Sequence, residues 1–470
     1  MKKMLMALSL SGALLGGSAV VWAEEAASTP ATEQTVAASE TVAETVTTAV
    51  AETTAPAEAA PAPEETPTAD TGDTAWILVS TALVLLMTIP GLALFYGGMV
   101  RKKNVLSTMM FSLSAAILVS LIWVIVGYSL AFSGSGAYVG DLAKAMLNGV
   151  AFDALSGTIP ESLFVIFQMT FAIITVAIIS GSIADRMKYS AFMAFIAIWV
   201  ILVYAPITHW VWAADGWLFK AGALDFAGGT VVHINAGVAG LVAAYMLGKR
   251  TGLGRESMAP HNLTLTVIGA SLIWVGWFGF NGGSALGAGA RASMAILVTQ
   301  VAAAAAAFSW LLVERLIRGK ASVLGGASGA VAGLVVITPA AGFVGVGGAL
   351  IMGLIGGVVC FWGITALKRL LKADDALDAF GLHAVGGIVG AVLTGIFYSD
   401  EIIKAAGVVL APTFAGQLWV QIEGVLATIV YSGVVTFIIL KVIDLVIGIR
   451  VSADDERMGL DLSQHGERIE

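Results

Sequence analysis

Apolar residues recur along the chain in eleven long blocks that polar connections separate. Most blocks approach the ~20 residues that a helix needs to cross the hydrocarbon of a bilayer. Every backbone polar group in lipid must be paired internally, and the blocks lack strand-like alternation, so they predict membrane-spanning helices. Their limits are 75–98, 105–132, 161–183, 189–213, 229–248, 262–282, 292–313, 323–339, 343–366, 380–398 and 413–447.

The segment before the first block has a different pattern. Residues 1–23 combine two early lysines, an apolar run and a small residue at Ala23, which predicts a signal peptide. Residues 24–72 are mostly Ala, Thr, Glu, Pro, Val and Ser without any aromatic residue, so we expect a disordered acidic linker. Docking of another protein is the alternative role for this linker.

Basic residues are distributed unevenly between the connections. Those after odd-numbered blocks carry clusters such as the one at 101–103, whereas those after even-numbered blocks carry only Lys144, Lys220, Arg291 and Lys404. Because cytoplasmic connections are the basic ones, we expect an N-terminus outside, a C-terminus inside and residence in the cell inner membrane. The eleven-helix domain would cover 73–447, and 448–470 would form a cytoplasmic tail.

Composition supports a membrane protein and excludes other classes. Hydrophobic residues make up 58% of the 470 residues and charged ones 12%, with a mean hydropathy of +0.91, which excludes a soluble globular protein. The single cysteine, Cys360, excludes a disulfide framework and a cysteine-based metal cluster. The net charge of −8 includes the acidic linker, and nothing in the pattern supports nucleic-acid binding.

Blocks five and ten share a motif. Each has a histidine, His233 or His383, with glycines at the fourth and seventh positions after it and an acidic residue, Asp225 or Asp378, before it. Five spans separate the copies, and an odd offset reverses direction across the membrane. We therefore expect an all-α polytopic membrane protein with two inverted five-helix repeats plus a long eleventh helix. The two imidazoles would face each other where the repeats meet.

Each histidine alone has an ordinary alternative as a hydrogen-bonded core residue. Inside a membrane, however, an ionisable side chain is costly and usually functional. Symmetric placement in both repeats favours function for His233 and His383.

Four segments carry a family resemblance. Residues 88–98 (TIPGLALFYGG), 225–235 (DFAGGTVVHIN), 276–281 (GWFGFN) and 378–383 (DAFGLH) closely resemble the bacterial ammonium transporter family, Amt, and the likeness extends from about Asp73 to Glu467. The resemblance implies a homotrimer in the lipid bilayer with one pore per subunit. It also implies transport of ammonium, with methylammonium as an analogue, rather than an enzymatic reaction.

The resemblance assigns roles at the outer mouth. It implies that Phe171, Trp212 and Ser284 form an outer recruitment site, and that Phe171 and Phe280 form a stacked phenyl gate beneath it. This residue set suits ammonium, because a small cation with four donors needs π-faces and a hydroxyl acceptor. For Trp212 alone, an interfacial anchor is the alternative.

The resemblance also assigns the pore. It implies that His233 and His383 line a narrow lumen, with Phe167 and Trp277 nearby. Two adjacent imidazolium ions ~4 Å apart would repel by about 4 kcal/mol at an effective dielectric of 20, so we expect the pair to hold at most one extra proton. Desolvation favours passage of neutral ammonia, and the fate of the released proton stays open.

Support residues and partners complete the expectations. The resemblance implies a structural and electrostatic role for Asp225. Asp378 is a second support residue, and its alternative role is that of N-cap of the tenth span. It further implies a PII-class nitrogen regulatory protein as a possible partner at the cytoplasmic face. We expect neither metal nor other cofactor. An ammonium sensor and a membrane haem or di-metal enzyme are the rival classes.

Overall fold

The computed structural model describes residues 68–469. The predicted signal peptide (1–23) and nearly all of the predicted linker (24–72) lie outside the described residues. The first helix begins at Thr71, a few residues before the predicted block. Its start is fixed by Asp70, whose carboxylate accepts a hydrogen bond of 2.8 Å from the backbone N–H of Asp73.

The helical membrane fold is confirmed, and each predicted block corresponds to an apolar helix. In the described part of the chain, ten helices are long and apolar enough to cross a membrane, and a shorter apolar helix fills the place of the eighth block. The helices are α1 (Thr71–Met99), α2 (Lys102–Phe132), α3 (Glu161–Ile183), α4 (Tyr189–Lys220, broken at 213–216), α5 (Gly229–Leu247), α6 (Leu263–Gly283), α7 (Ala290–Arg318), α8 (Val323–Ile337), α9 (Val346–Leu371), α10 (Phe380–Phe397) and α11 (Phe414–Val446).

Short elements fill the connections. A two-stranded antiparallel hairpin, β1 (Leu155–Ser156) and β2 (Ile159–Pro160), leads directly into α3, and single helical turns lie at Ala145–Leu147 and Asp400–Ala405. After α11 come two tail helices, α12 (Ala453–Met458) and α13 (Leu460–His465). We call the end of the bundle that carries Trp212 and Ser284 the aromatic end, and the end that carries α12 and α13 the tail end.

Helices α5 and α10 pack against each other at the centre. Each begins with a wide π-helical turn, Gly229–Ile234 or Phe380–Ala384, and each turn contains the repeat's histidine. A Cβ added at Gly237 would lie 2.6 Å from the Cβ of Ala384, and one added at Gly387 would lie 3.1 Å from the Cβ of His233. The glycine four positions after each histidine therefore permits the close approach of the other repeat.

The glycine seven positions after each histidine contacts a different helix. Gly240 packs against Ser182 of α3, and Gly390 packs against Val336 of α8. The two glycines of each motif thus contact two different neighbouring helices. Since α3 and α8 occupy equivalent places in the two halves, these contacts follow the inverted repeat.

Candidate functional site

The two histidines meet as the inverted repeat predicts. The Nδ1 atoms of His233 and His383 are 3.2 Å apart, and the rings are nearly parallel, with centroids 5.3 Å apart and 23° between their planes. Both side chains are buried, with His233 1% and His383 4% exposed. Helix packing around Gly237 and Gly387 holds them at this separation.

The contact between the Nδ1 atoms constrains the protons. One Nδ1 must carry hydrogen and the other must offer a lone pair, so two fully protonated rings cannot form this bond. When both rings are neutral, the ring that donates through Nδ1 has a bare Nε2, and its partner has Nε2–H. The pair then offers one acceptor and one donor besides the shared bond. The Nε2 of His233 is buried without a protein hydrogen-bond partner among the described residues.

Trp277 lies against the pair. Its ring stacks on His233 at 5.4 Å with 19° between the planes, and its indole Nε1 donates to Thr338 Oγ1 at 2.9 Å. This hydrogen bond satisfies the only polar atom of the side chain, so the tryptophan presents its apolar surface to the neighbouring imidazole.

Two phenyl rings, the expected gate, stack next to the histidine pair. Phe171 and Phe280 stack with centroids 4.3 Å apart and 26° between the planes, and Phe280 lies 6.0 Å from His233. Both rings are buried, with Phe171 1% and Phe280 0% exposed. Phe167, expected near the pore, packs edge-on against Phe171 at 5.0 Å. It supports the gate from the side and lines neither of the two cavities described next.

A cavity of about 140 Å³ lies at the aromatic end above the gate. It brings Phe171, Trp212 and Ser284 together, as expected. Trp212 donates its Nε1–H to the backbone oxygen of Asp225 at 2.8 Å and meets Phe171 edge-on at 5.7 Å. Ser284 donates its hydroxyl to the backbone oxygen of Phe280 at 2.8 Å, which leaves the lone pairs of Oγ for an incoming donor.

A second, apolar pocket lies on the other side of the gate, against His383 and Trp277. Its volume is about 10 Å³, close to the minimum for a single water, and apolar side chains form the rest of its wall. These are Met87, Leu92, Phe95, Ile174, Ile178, Ile273 and Val331. A hydrated ion does not fit in this pocket.

Asp225 caps the start of α5. Its carboxylate accepts hydrogen bonds from the backbone N–H groups of Gly228 at 2.8 Å and Thr230 at 2.9 Å, and from the Thr230 hydroxyl. The turn that carries His233 is therefore fixed by this buried carboxylate. Because its oxygens are occupied by backbone donors, Asp225 acts on the site through the helix it caps.

The expectation that Asp378 caps the tenth span is wrong. The cap of α10 is Asp375, which accepts from Phe380 N at 2.8 Å and Ala379 N at 3.2 Å. Asp378 instead bonds Lys368 Nζ at 2.6 Å, and its partial burial raises the pKa of its carboxyl to about 6. The spacing in the sequence indicates this role, because Asp375 lies eight positions before His383 and Asp225 lies eight positions before His233.

The sequence of this chain is similar to known proteins of one family. A profile described as Ammonium Transporter Family matches residues 75–469. The ammonium transporter of Bacillus subtilis is 52% identical over 399 residues, which cover 84% of this chain and 98% of that protein. This chain belongs to the ammonium transporter family.

Solved structures agree with the family. The crystal structure of Saccharomyces cerevisiae Mep2 superimposes with a TM-score of 0.77 at 37% identity, covering 82% of this chain and 89% of that one. A structure titled Sensor Amt Protein gives a TM-score of 0.78 at 30% identity, with 84% and 98% covered. Transporters and a protein titled as a sensor thus share this scaffold.

The structure adds residues that sequence reasoning missed in this transporter-family chain. Phe132, Phe164, Phe226 and Gln168 also line the cavity at the aromatic end. The Oε1 of Gln168 is buried without a partner among the described residues, so it is an available acceptor there. Its position on α3, three residues before Phe171, was the available signal, since residues at that spacing share a helix face.

Proposed function

We propose that the protein recruits ammonium in the outer aromatic cavity, deprotonates it and conducts ammonia past the histidine pair into the cytoplasm. The observation that carries this proposal is the order of parts along one path. A cavity with π-faces and acceptors is followed by a stacked phenyl gate, two hydrogen-bonded imidazoles and an apolar pocket of about 10 Å³.

Recruitment uses the chemistry of the ion. Trp212 and Phe171 offer ring faces to a weakly hydrated cation, and Ser284 Oγ and Gln168 Oε1 accept its N–H hydrogens. Cation–π attraction contributes about 0.5–2 kcal/mol per contact. Carrying a charge to the bilayer centre costs about 2.5–17 kcal/mol. The cavity therefore concentrates the ion without carrying it through.

Deprotonation lets the substrate pass the gate as ammonia, and the released proton goes either to water in the recruitment cavity or to the bare Nε2 of the histidine pair. With a lysine-like pKa of ~10.4 as an upper bound, loss of the proton at neutral pH costs about 4–5 kcal/mol. The apolar wall of the inner pocket strips water from the substrate, and desolvation favours the neutral amine. Ammonia has a lone pair and three donors, so it can use both the acceptor and the donor that the histidine pair offers.

Orientation and assembly extend the proposal. The tail end carries the basic cluster at 101–103, so we place it in the cytoplasm of a cell inner membrane and the aromatic end outside. We further propose a homotrimer, a cleaved signal peptide and a cytoplasmic face accessible to a PII-class protein. Exposed apolar side chains on α7 and α9, such as Phe308 and Leu350, offer a surface for lipid or neighbouring subunits.

A flux assay in proteoliposomes tests the function. Current and internal pH are recorded together under an inward ammonium gradient, with protein-free vesicles as the control. We expect saturable ammonium uptake, competed by methylammonium. A sensor would bind ammonium with little or no uptake, and that outcome would contradict the proposal. The ratio of charge to ammonium taken up distinguishes electrogenic from electroneutral transport.

A further inference from the structure

A third cavity, of about 290 Å³, lies beside the outer aromatic cavity and shares Phe132, Phe164 and Trp212 with it. Unlike its neighbour it is lined by an ion pair. Lys144, from the connection after α2, places its amine against a carboxylate oxygen of Glu161, the first residue of α3. The Glu161 side chain is only 8% exposed, whereas that of Lys144 is 32% exposed.

The surroundings of the amine are those of a cation site. Tyr128 donates its hydroxyl to Glu161 Oε1 at 2.7 Å, and the Lys144 Nζ lies 5.8 Å from the centroid of the Tyr128 ring. A carboxylate and a π-face thus flank one primary ammonium group, and the Tyr128 hydroxyl holds the carboxylate in place. The same two kinds of contact suit a free ammonium or methylammonium ion.

The connection that carries Lys144 is anchored. The Lys144 N–H donates to Ser129 Oγ at 2.9 Å, and the Gly140 N–H donates to the backbone oxygen of Leu130 at 2.8 Å. Met146 and Leu147 both have a φ of 56°, a conformation that non-glycine residues keep only where neighbours enforce it. The amine is therefore presented to Glu161 by a fixed connection.

We propose that Lys144 is a tethered competitor that occupies a second cation site, formed by Glu161 and Tyr128, next to the recruitment cavity. Its amine neutralises Glu161 and excludes a free cation from these contacts. Removing the amine frees this second cation site beside Trp212 for ammonium and raises the apparent affinity of the protein for ammonium. This inference rests on the proposed function, because it concerns the affinity of that same entrance.

Half-saturation of methylammonium uptake into proteoliposomes tests the inference. In Lys144→Ala we expect the half-saturation concentration to fall roughly two- to fivefold, the range of a partly exposed ion pair, with maximal flux nearly unchanged. Lys144→Arg keeps the cation and should behave like the parent. The double variant Lys144→Ala/Glu161→Gln removes the acceptor charge, so its half-saturation should return to the parent value.

Lys220→Ala is the matched control. Lys220 pairs with Asp215 at 2.8 Å, and Asp215 lines the same cavity, but both side chains are well exposed. This variant removes one positive charge at the same end without opening the Glu161 site, so its half-saturation should stay at the parent value. An equal fall in Lys220→Ala would overturn the inference in favour of general electrostatics, which added salt would screen.

Failure of the inference is distinguishable from failure of the proposed function. Parent uptake with an unchanged half-saturation in Lys144→Ala overturns the tethered competitor alone. Absence of saturable uptake in the parent overturns the function. Should Lys144→Ala express poorly because Glu161 is left buried without a counter-ion, Lys144→Gln removes the charge but keeps a polar side chain and should show the same fall in half-saturation; an unchanged value there overturns the inference.

Discussion

A single hydrogen bond between ring nitrogens constrains the chemistry of the proposed pore. At 3.2 Å, the Nδ1 atoms of His233 and His383 share one hydrogen, so the protonation of each ring depends on the other. Removing one ring leaves the other buried without its partner, which is costly in an apolar lumen. The two residues should therefore respond to mutation as one unit.

We expect His233→Leu to abolish ammonium uptake, because it leaves His383 without its partner and removes one of the two Nε2 groups that the pair offers. His233→Glu would keep a hydrogen-bonding carboxyl that can ionise, and it should preserve or raise net current while admitting potassium. The double variant His233→Leu/His383→Leu should lose little more than the worse single variant. Uptake and current are measured in proteoliposomes with protein whose chromatographic elution matches the parent.

Two results would remove this mechanism. Parent uptake and selectivity in His233→Leu would make the pair a packing feature, and so would single effects that simply add.

Some residues of the candidate site could be predicted from the sequence, and others could not. The histidines were predicted from their repeat alone, because an inverted repeat defines which residues meet. Phe171, Trp212 and Ser284 were placed through family resemblance, and the structure brings them together around one cavity. Gln168 was missed: its spacing from Phe171 places it on the same helix face, but only the structure shows that its Oε1 is buried without a partner among the described residues.

Among the elements, the eleven spans were predictable because bilayer thickness imposes length and hydropathy directly on the sequence. The π-helical turns at Gly229–Ile234 and Phe380–Ala384 were not, since they arise from tertiary packing around the histidines. The cap of α10 was assigned to Asp378 because that residue is nearer to the span. Asp375 takes the role because its carboxylate also accepts from Ser182 Oγ of α3, at 2.7 Å, and is held in place.

This assignment predicts an asymmetry between two neighbouring aspartates. Asp375→Ala should lower the free energy of unfolding by about 0.5–2 kcal/mol through loss of the cap, and should reduce maximal flux because His383 follows directly in the capped turn. Asp378→Ala breaks a partly exposed pair with Lys368 and should cost about 0–1 kcal/mol. Thermal unfolding in detergent and uptake measure both effects.

Asparagine supplies the control, because it also caps helices well. Asp375→Asn should recover much of the stability and flux that Asp375→Ala loses. A larger loss of stability in Asp378→Ala than in Asp375→Ala would contradict the assignment.

On the scale of the whole molecule, the tail ties together helices that lie far apart in sequence. The backbone N–H of Leu460 donates to Asn104 Oδ1 at 2.8 Å, and Asp461 Oδ1 accepts from the backbone N–H of Ser107 at 2.7 Å. On α12, Glu456 accepts from the Thr251 hydroxyl at 2.8 Å and from Arg450 Nη2 at 2.8 Å. The tail therefore binds the start of α2 and the connection after α5 at once.

Docking of the tail should depend on pH through Glu456. Burial alone would raise the pKa of this carboxyl, but hydrogen bonds from Arg450 and Thr251 outweigh it and hold the pKa below the ordinary glutamate value. A depressed pKa in the docked state means that the stabilisation is complete above the ordinary value and is lost as pH falls through the depressed one. We expect hydrogen-exchange protection of 453–465 to be constant near neutrality and to fall in acid.

Glu456→Gln removes the negative charge of the side chain and keeps its size. It should lower protection of 453–465 at neutral pH by about 10- to 150-fold, the equivalent of the about 1.5–3 kcal/mol that a hydrogen bond to a charged group contributes. It should also remove the part of the acid transition that Glu456 causes. Arg457→Gln is a suitable control, because its partner Asp454 is 91% exposed and their contact adds little to docking. Parent-like protection in Glu456→Gln would mean that the bonds of Leu460 and Asp461 to α2 hold the tail without the charge of Glu456.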